Sequence, residues 1–110
     1  MKVQAITRHV HISPRKAMEV TREVQGLPAQ RALDVLKFIP RKAARLVLRT
    51  LKSAVANAEN NASLSREKLV VKEAVVGAAP SLRRISTRAR GGADTIRRRH
   101  SHIKIVLSDE

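Results

Sequence analysis

Cysteine, tryptophan and tyrosine are all absent from this 110-residue chain, and Phe38 is its single phenylalanine. Without cysteine there can be no disulfide framework and no thiolate metal centre, which fits a reducing compartment. Modules that read single-stranded nucleic acid stack bases on several aromatic rings, and this chain has almost none. Acids are scarce too, 9 against 23 Lys and Arg. They are scattered, with no carboxylate pair for acid–base chemistry. There is no Gly-rich phosphate loop of Walker type and no G-x-S-x-G elbow, and Ser13, Ser53 and Ser101 lack a base and an orienting group. No enzyme activity and no cofactor are expected. Met1 to Ala5 holds no apolar block of signal-peptide type. The longest run of small apolar residues, Ala74 to Ala79, is too short to span a bilayer.

What the chain does have is positive charge. The formal net charge is +14, while 43% of residues are hydrophobic, enough for a modest core. Self-repulsion at that level disfavours the compact state unless counter-ions or a partner screen it. Nucleic acid is the usual partner for such a chain, with an anionic membrane surface second. With so few rings to stack, recognition is expected to run through phosphates, riboses and shape.

One domain is expected over residues 1–110. Val3 to Ile12 alternates and reads as a strand, with Val3, Ala5 and Thr7 on one side and Gln4, Ile6, Arg8, Val10 and Ile12 on the other. Ser13-Pro14 opens a helix, with Ser as N-cap and Pro in the first turn. Ala17, Val20, Thr21 and Val24 form its apolar stripe, and Gly26 stops it. A second, shorter helix starts at Leu27-Pro28, carries Ala29, Ala32, Leu33, Leu36 and Ile39 at helical spacing, and ends at Pro40. The third runs from Arg41 to about Asn60. Ala44, Val47, Leu48, Leu51, Val55 and Ala58 share one face. Arg41, Arg45, Arg49 and Lys52 form a basic stripe beside it, with no acid before Glu59 on that helix to pair with them. Asn57 to Ser63 reads as helix exit and loop. Lys68 to Val76 and Ser101 to Leu107 alternate as strands, the first as Leu69, Val71, Glu73 and Val75 against Val70, Lys72, Ala74 and Val76. The expected fold is α+β: a small three-stranded antiparallel sheet on three helices, ordered strand-helix-helix-helix-strand-strand.

The chain between the last two strands, about residues 78–101, has to leave the body and return. Between Pro80 and Lys104 it carries Arg83, Arg84, Arg88, Arg90, Arg97, Arg98, Arg99 and Lys104 against one acid, Asp94. Such a segment is too charged for its own core. An extended arm from Pro80 to Arg90 reaches roughly 30–35 Å, whereas a globule of this length has a radius of gyration of about 13 Å. Gly91-Gly92 points to a tight reversal at the tip. An isolated two-stranded hairpin is marginal in water, so the arm is expected to be mobile in the free protein and fixed on RNA. Arginine's planar fork also suits phosphate better than a diffuse cloud of lysine charge. His9-Val10-His11 and His100-Ser101-His102 have a spacing that could ligate zinc, each pair on one strand face. With no cysteine or acid beside them, contacts with RNA or with the sheet edge are expected and no metal.

The motifs then carry a resemblance. Ile12-Ser13-Pro14-Arg15-Lys16, Ala54-Val55-Ala56-Asn57-Ala58-Glu59-Asn60-Asn61, and, in the arm, Arg84, Arg88-Ala89-Arg90-Gly91, Ala93-Asp94, Ile96, Arg99 and Ser101-His102-Ile103 occur in order and at the right spacing. The chain closely resembles the bacterial L-twenty-two family of large-subunit ribosomal proteins over nearly its full length. The resemblance implies a structural, cytoplasmic protein of the ribosome that binds large-subunit ribosomal RNA, supports assembly, and lines the nascent-peptide exit tunnel with its hairpin. Implied partners are that RNA, neighbouring ribosomal proteins including L-four at the tunnel, and the nascent peptide in transit. No membrane and no homo-oligomer are implied. Arg88, Ala89, Arg90, Gly91 and Gly92 would form the tip. RNA contacts are expected from Arg8, Arg15, Lys16, Arg41, Arg45, Arg49, Arg83, Arg84, Arg88, Arg90, Arg97, Arg98, Arg99, His102 and Lys104. Thr87 stands where the family usually has Pro, and Gly92 where it usually has Arg, so this tip carries less charge. The competing reading is a nucleoid-type DNA architectural protein with basic β-arms, but those usually carry an apolar wedge at the tip, and Thr87 to Gly92 offers none.

Overall fold

The computed structural model of the chain describes residues 2–87 and 89–109; the side chains of Ser86, Asp94 and Ile96 also fall outside the description. The elements are β1 (Lys2–Val10), α1 (Pro14–Val24), α2 (Ala29–Phe38), α3 (Lys42–Asn61), β2 (Val70–Thr87) and β3 (Ala93–Ser108). Short 3-10 turns at Arg66–Lys68 and Ala89–Gly91 complete the set. All strand pairs are antiparallel and the sheet order is β1-β3-β2, so the last strand is the central one. The helices cover one face: α3 lies on β1 and β3, α1 on β2, and α2 on α3.

The helical stripes bury as their spacing requires. Ala17, Val20, Thr21 and Val24 of α1 are buried, as are Ala29, Ala32, Leu33 and Leu36 of α2. On α3, Val47, Leu51, Val55 and Ala58 meet the same core as Ile103, Ile105 and Leu107 of β3. Ile39 takes an extended conformation (φ −77°, ψ 117°), as a residue before proline prefers, and this ends α2. Gly26, just past α1, has φ +88°. Its N–H donates to the Val71 carbonyl at 2.8 Å, and Val71 N–H donates back to the Leu27 carbonyl at 2.9 Å. The α1–α2 link is thereby tied to the start of β2.

Several expectations need correction. Ser13 sits at the N-cap of α1, but its side chain makes no capping hydrogen bond. The third helix runs to Asn61, close to its expected end near Asn60, so it is the exit-and-loop reading from Asn57 that starts too early. Ala58 is buried there, and Asn57 Nδ2 donates to the Gln4 carbonyl at 3.3 Å, so the last turns stay docked on β1. Strict alternation would place Val10 and Ile12 on the solvent side with Ile6 and Arg8, yet both are buried. A bulge between Thr7 and Val10, with His9 at φ 54°, inserts one extra residue and reverses the phase. A second bulge between Val71 and Glu73 does the same on β2, so Leu69 and Val71 are followed into the core by Ala74 and Val76 rather than by Glu73 and Val75.

Beyond the body, β2 and β3 continue as one ladder to Thr87↔Ala93. A third bulge, between Ala79 and Leu82, takes up Pro80, which has no N–H to give the ladder. The molecule measures 62 × 25 × 17 Å with a radius of gyration of 16.9 Å, well above the compact value. At the tip the reversal is not a two-residue Gly91-Gly92 turn. The left-handed conformations fall on Arg90 (φ 62°) and Gly91 (φ 75°), and the Gly92 N–H closes the turn onto the Ala89 carbonyl at 3.4 Å. Arg88 lies outside the described residues. Every buried residue described lies before Pro80 or after Arg99. Replacing residues 82–98 with a short glycine linker should therefore leave the helical far-UV signal and cooperative melting intact; loss of either would show that the arm helps hold the body.

Candidate functional site

The expected RNA-contacting residues do not form one site; the fold sorts them into groups. The first gathers where three chain segments meet at the arm's root. The start of α1 brings Arg15 and Lys16, the start of α3 brings Arg41 and Lys42, and β3 brings Arg97, Arg98 and Arg99. One cleft there, of about 480 Å³, is lined by Lys16, Lys42, the three arginines, His11 and His100. A neighbouring one of about 480 Å³ runs from Arg15 along Ala78, Ala79 and Ser81 to Arg99. The second group is the arm itself, where Arg83, Arg84 and Arg90 are exposed. Arg45 and Arg49 continue the basic stripe along α3 and are exposed. Arg8, exposed on β1, and the partly buried His102 and Lys104 on β3 lie apart from the root clefts.

Within the root, neutralisation is sparse. Arg41 is bound by Glu19 of α1, which corrects the expectation that the α3 stripe has no acid to pair with. Helix neighbours were the wrong place to look: the acid comes from the adjacent helix. Among the described residues, no acid pairs with Arg83, Arg84, Arg97, Arg98 or Arg99. The first turn of α1 holds no acid, so the positive end of its dipole is not offset from within the helix.

The histidines pair across strands rather than along them. The His9 N–H donates to His102 Nδ1 at 3.1 Å, and the two rings meet edge-on with centroids 4.9 Å apart. His11 Nδ1 and His100 Nε2 are 2.8 Å apart, so one carries the proton and the other accepts it. The bulge in β1 lies at His9 and just before His11, the two residues that meet β3. Ser101 Oγ, fully buried, donates to the Ile12 carbonyl at 2.6 Å, and Lys42 Nζ donates to the His11 carbonyl at 2.6 Å. This cluster fastens the end of β1 to the root of the arm. Among the described residues, no group of three or more metal-ligating side chains occurs.

Lys42 is a member of the root cleft that sequence reasoning did not select, while His11 and His100 belong to the pairs expected to contact RNA or the sheet edge. Only the side-by-side packing of the starts of α1 and α3 brings Lys42 in, and no local pattern announces that. The adjacent histidine pairs were a visible signal, but each histidine's partner comes from the other pair.

A two-layer α+β body with a projecting β-arm and a cationic root defines a class: small, strongly basic, arm-bearing proteins. Comparison with known proteins narrows it. The family model "Ribosomal protein L22p/L17e" matches residues 5–108. A large ribosomal subunit protein uL22 from Akkermansia muciniphila is 48% identical over 110 residues, covering 100% of this chain and 98% of its relative. Those from Opitutus terrae (49% over 109 residues, 99% of this chain and 96% of the relative) and Fusobacterium nucleatum (48% over 110 residues, 100% and 99%) are similarly close. The chain belongs to the ribosomal protein L22p/L17e family.

Replacing Ser101 with Ala strands the buried Ile12 carbonyl, a loss of about 1–3 kcal/mol. Urea denaturation should show a lower midpoint with an unchanged m-value; an unchanged midpoint would mean that the hydroxyl does not fasten β1.

Proposed function

We propose that the chain is a structural constituent of the large ribosomal subunit that binds its ribosomal RNA, supports subunit assembly, and lines the nascent-peptide exit tunnel with its hairpin. The observation that carries this reading is the arm. It is a ladder extending well past the core, bearing exposed arginines that no described acid neutralises. Such a surface is electrostatically incomplete alone, and a folded polyanion wrapped around it supplies the missing charge. The root clefts offer a second phosphate-binding zone, where Lys16, Lys42 and Arg97 to Arg99 converge beside the uncapped start of α1. Family membership supports ribosomal RNA over DNA as the polyanion, and with it a cytoplasmic place in the ribosome. No helix among the described residues is long and apolar enough to cross a membrane.

On this reading Arg83, Arg84 and Arg97 to Arg99 clamp the RNA along the arm. Arg8, Arg15, Lys16, Arg41, Arg45, Arg49, His102 and Lys104 bind it from the body. Residues 88–92, including Arg88 and Arg90, reach the tunnel wall, with the L-four protein and the passing peptide as neighbours. Glu19 already occupies Arg41, so Arg41 contributes less than Arg45 or Arg49.

Two measurements test this. In cell extract the chain should sediment with large ribosomal subunits through a moderate salt wash. In vitro, binding to large-subunit ribosomal RNA should fall steeply with salt. The Arg97→Ala, Arg98→Ala, Arg99→Ala variant should bind more weakly and lose about 0.7–0.9 from the log–log salt slope for each phosphate contact removed, with far-UV helicity retained. Unchanged binding by that variant, or salt-insensitive binding by the parent chain, would refute the phosphate clamp.

A further inference from the structure

The chain's one Phe is 84% exposed. Phe38 is the last residue of α2, two positions past Leu36 and so on the opposite side of the helix from the buried face. The turn through Ile39 and Pro40 then leaves it standing in a groove of about 650 Å³ between the end of α2 and the start of α3. The groove has a mixed chemistry. Phe38, Ile39, Pro40 and Leu48 give it apolar area, while Lys37, Arg41, Lys42 and Arg45 line it with positive charge and no acid is among its lining residues. Arg41 is held by Glu19, and Lys42 donates to the His11 carbonyl, so Lys37 and Arg45 are the cations most available to a ligand.

A ligand that fits must present a flat apolar surface flanked by negative charge. A nucleobase between two backbone phosphates does both. We propose that Phe38 is a stacking platform for one unpaired base of RNA, with Lys37 and Arg45 holding the phosphates beside it. This rests on the RNA-binding reading above and adds a contact that reading does not need. It amends the expectation that recognition proceeds without stacking: one ring is enough for one base, placed on the body in a groove that shares Lys42 with the root cleft.

The full chain lacks tryptophan, so Phe38→Trp introduces a single fluorescent reporter at the site. Titrated with a large-subunit ribosomal RNA transcript, this variant should bind like the parent and its emission should be quenched as a base stacks on the indole. Phe38→Leu, which keeps apolar bulk and removes the π-face, should weaken binding by roughly 5- to 150-fold, while Phe38→Tyr restores it; unchanged melting curves confirm that the fold is intact. Unquenched Trp emission with parent-like binding by Phe38→Leu would overturn the stacking proposal. So would an emission change that appears only when other large-subunit proteins are added, which would make the occupant a protein. The Arg97–Arg99 triple variant separates the two readings: if it weakens binding while Phe38→Leu does not, RNA binding stands and stacking falls.

Discussion

Everything in this molecule follows from like charge that the chain can neither bury nor neutralise. A net charge of +14 has to be placed somewhere. Compact placement raises self-repulsion, and burial of an unpaired cation is prohibitive. The fold answers by separating functions. Apolar side chains collect between three helices and one sheet face, while arginines are set along an arm that adds nothing to the core. The arm's few apolar residues show how little it gains by folding alone: Leu82 is 50% exposed and Ile85 80%.

Body and arm are nevertheless one piece of sheet. β3 supplies Ile103, Ile105 and Leu107 to the core and, further back along the same strand, Arg97 to Arg99 to the root clefts. The root is where the chain spends polar contacts: the cross-strand histidine pairs, the Ser101 bond to Ile12 and the Lys42 bond to His11 all fall within a few residues of each other. Those bonds join the end of β1 to the root of the arm and the start of α3 to the segment just after β1. In the core a similar economy holds. Thr50 donates to the Leu46 carbonyl, so its hydroxyl oxygen accepts from Thr7, and a buried threonine is satisfied while joining α3 to β1.

Much of this was legible in the residues. Helical stripes on α1, α2 and α3 named most of their buried positions because a 3.6-residue period tolerates small errors in the ends. The α3 stripe missed Ala43, Thr50 and Ala54, however, and its Leu48 is only partly buried. Strand existence was equally plain, but strand facing was not. Period-two alternation has no tolerance, and a single inserted residue reverses it. Bulges at His9 and near Lys72 therefore sent Val10, Ile12, Ala74 and Val76 to the core against the simple pattern. The basic residues of the arm were evident as a composition bias. The meeting of Lys16, Lys42 and Arg97 at one cleft and the Glu19–Arg41 pair were not, since each depends on which helix lies beside which. The arm's tip also misled: two adjacent glycines suggested where the turn would bend, yet Arg90 takes one of the two left-handed positions.

The strand order β1-β3-β2 has a consequence for biogenesis. The sheet's middle member is the last to emerge from the ribosome that makes it, because Lys2 pairs with Ser108 and Val70 pairs with the same residue from the other side. Neither outer strand has its hydrogen-bonding neighbour until β3 itself has been made. Helices can coil as they appear, but the sheet cannot close piecemeal, and the pairing of β1 with β3 spans nearly the whole sequence, the kind of distant closure that slows folding. Most of the basic finger is thus synthesised before residues 103–108 of β3 can close the sheet, so for that interval its cations are exposed to any cellular polyanion before the body that orients them exists.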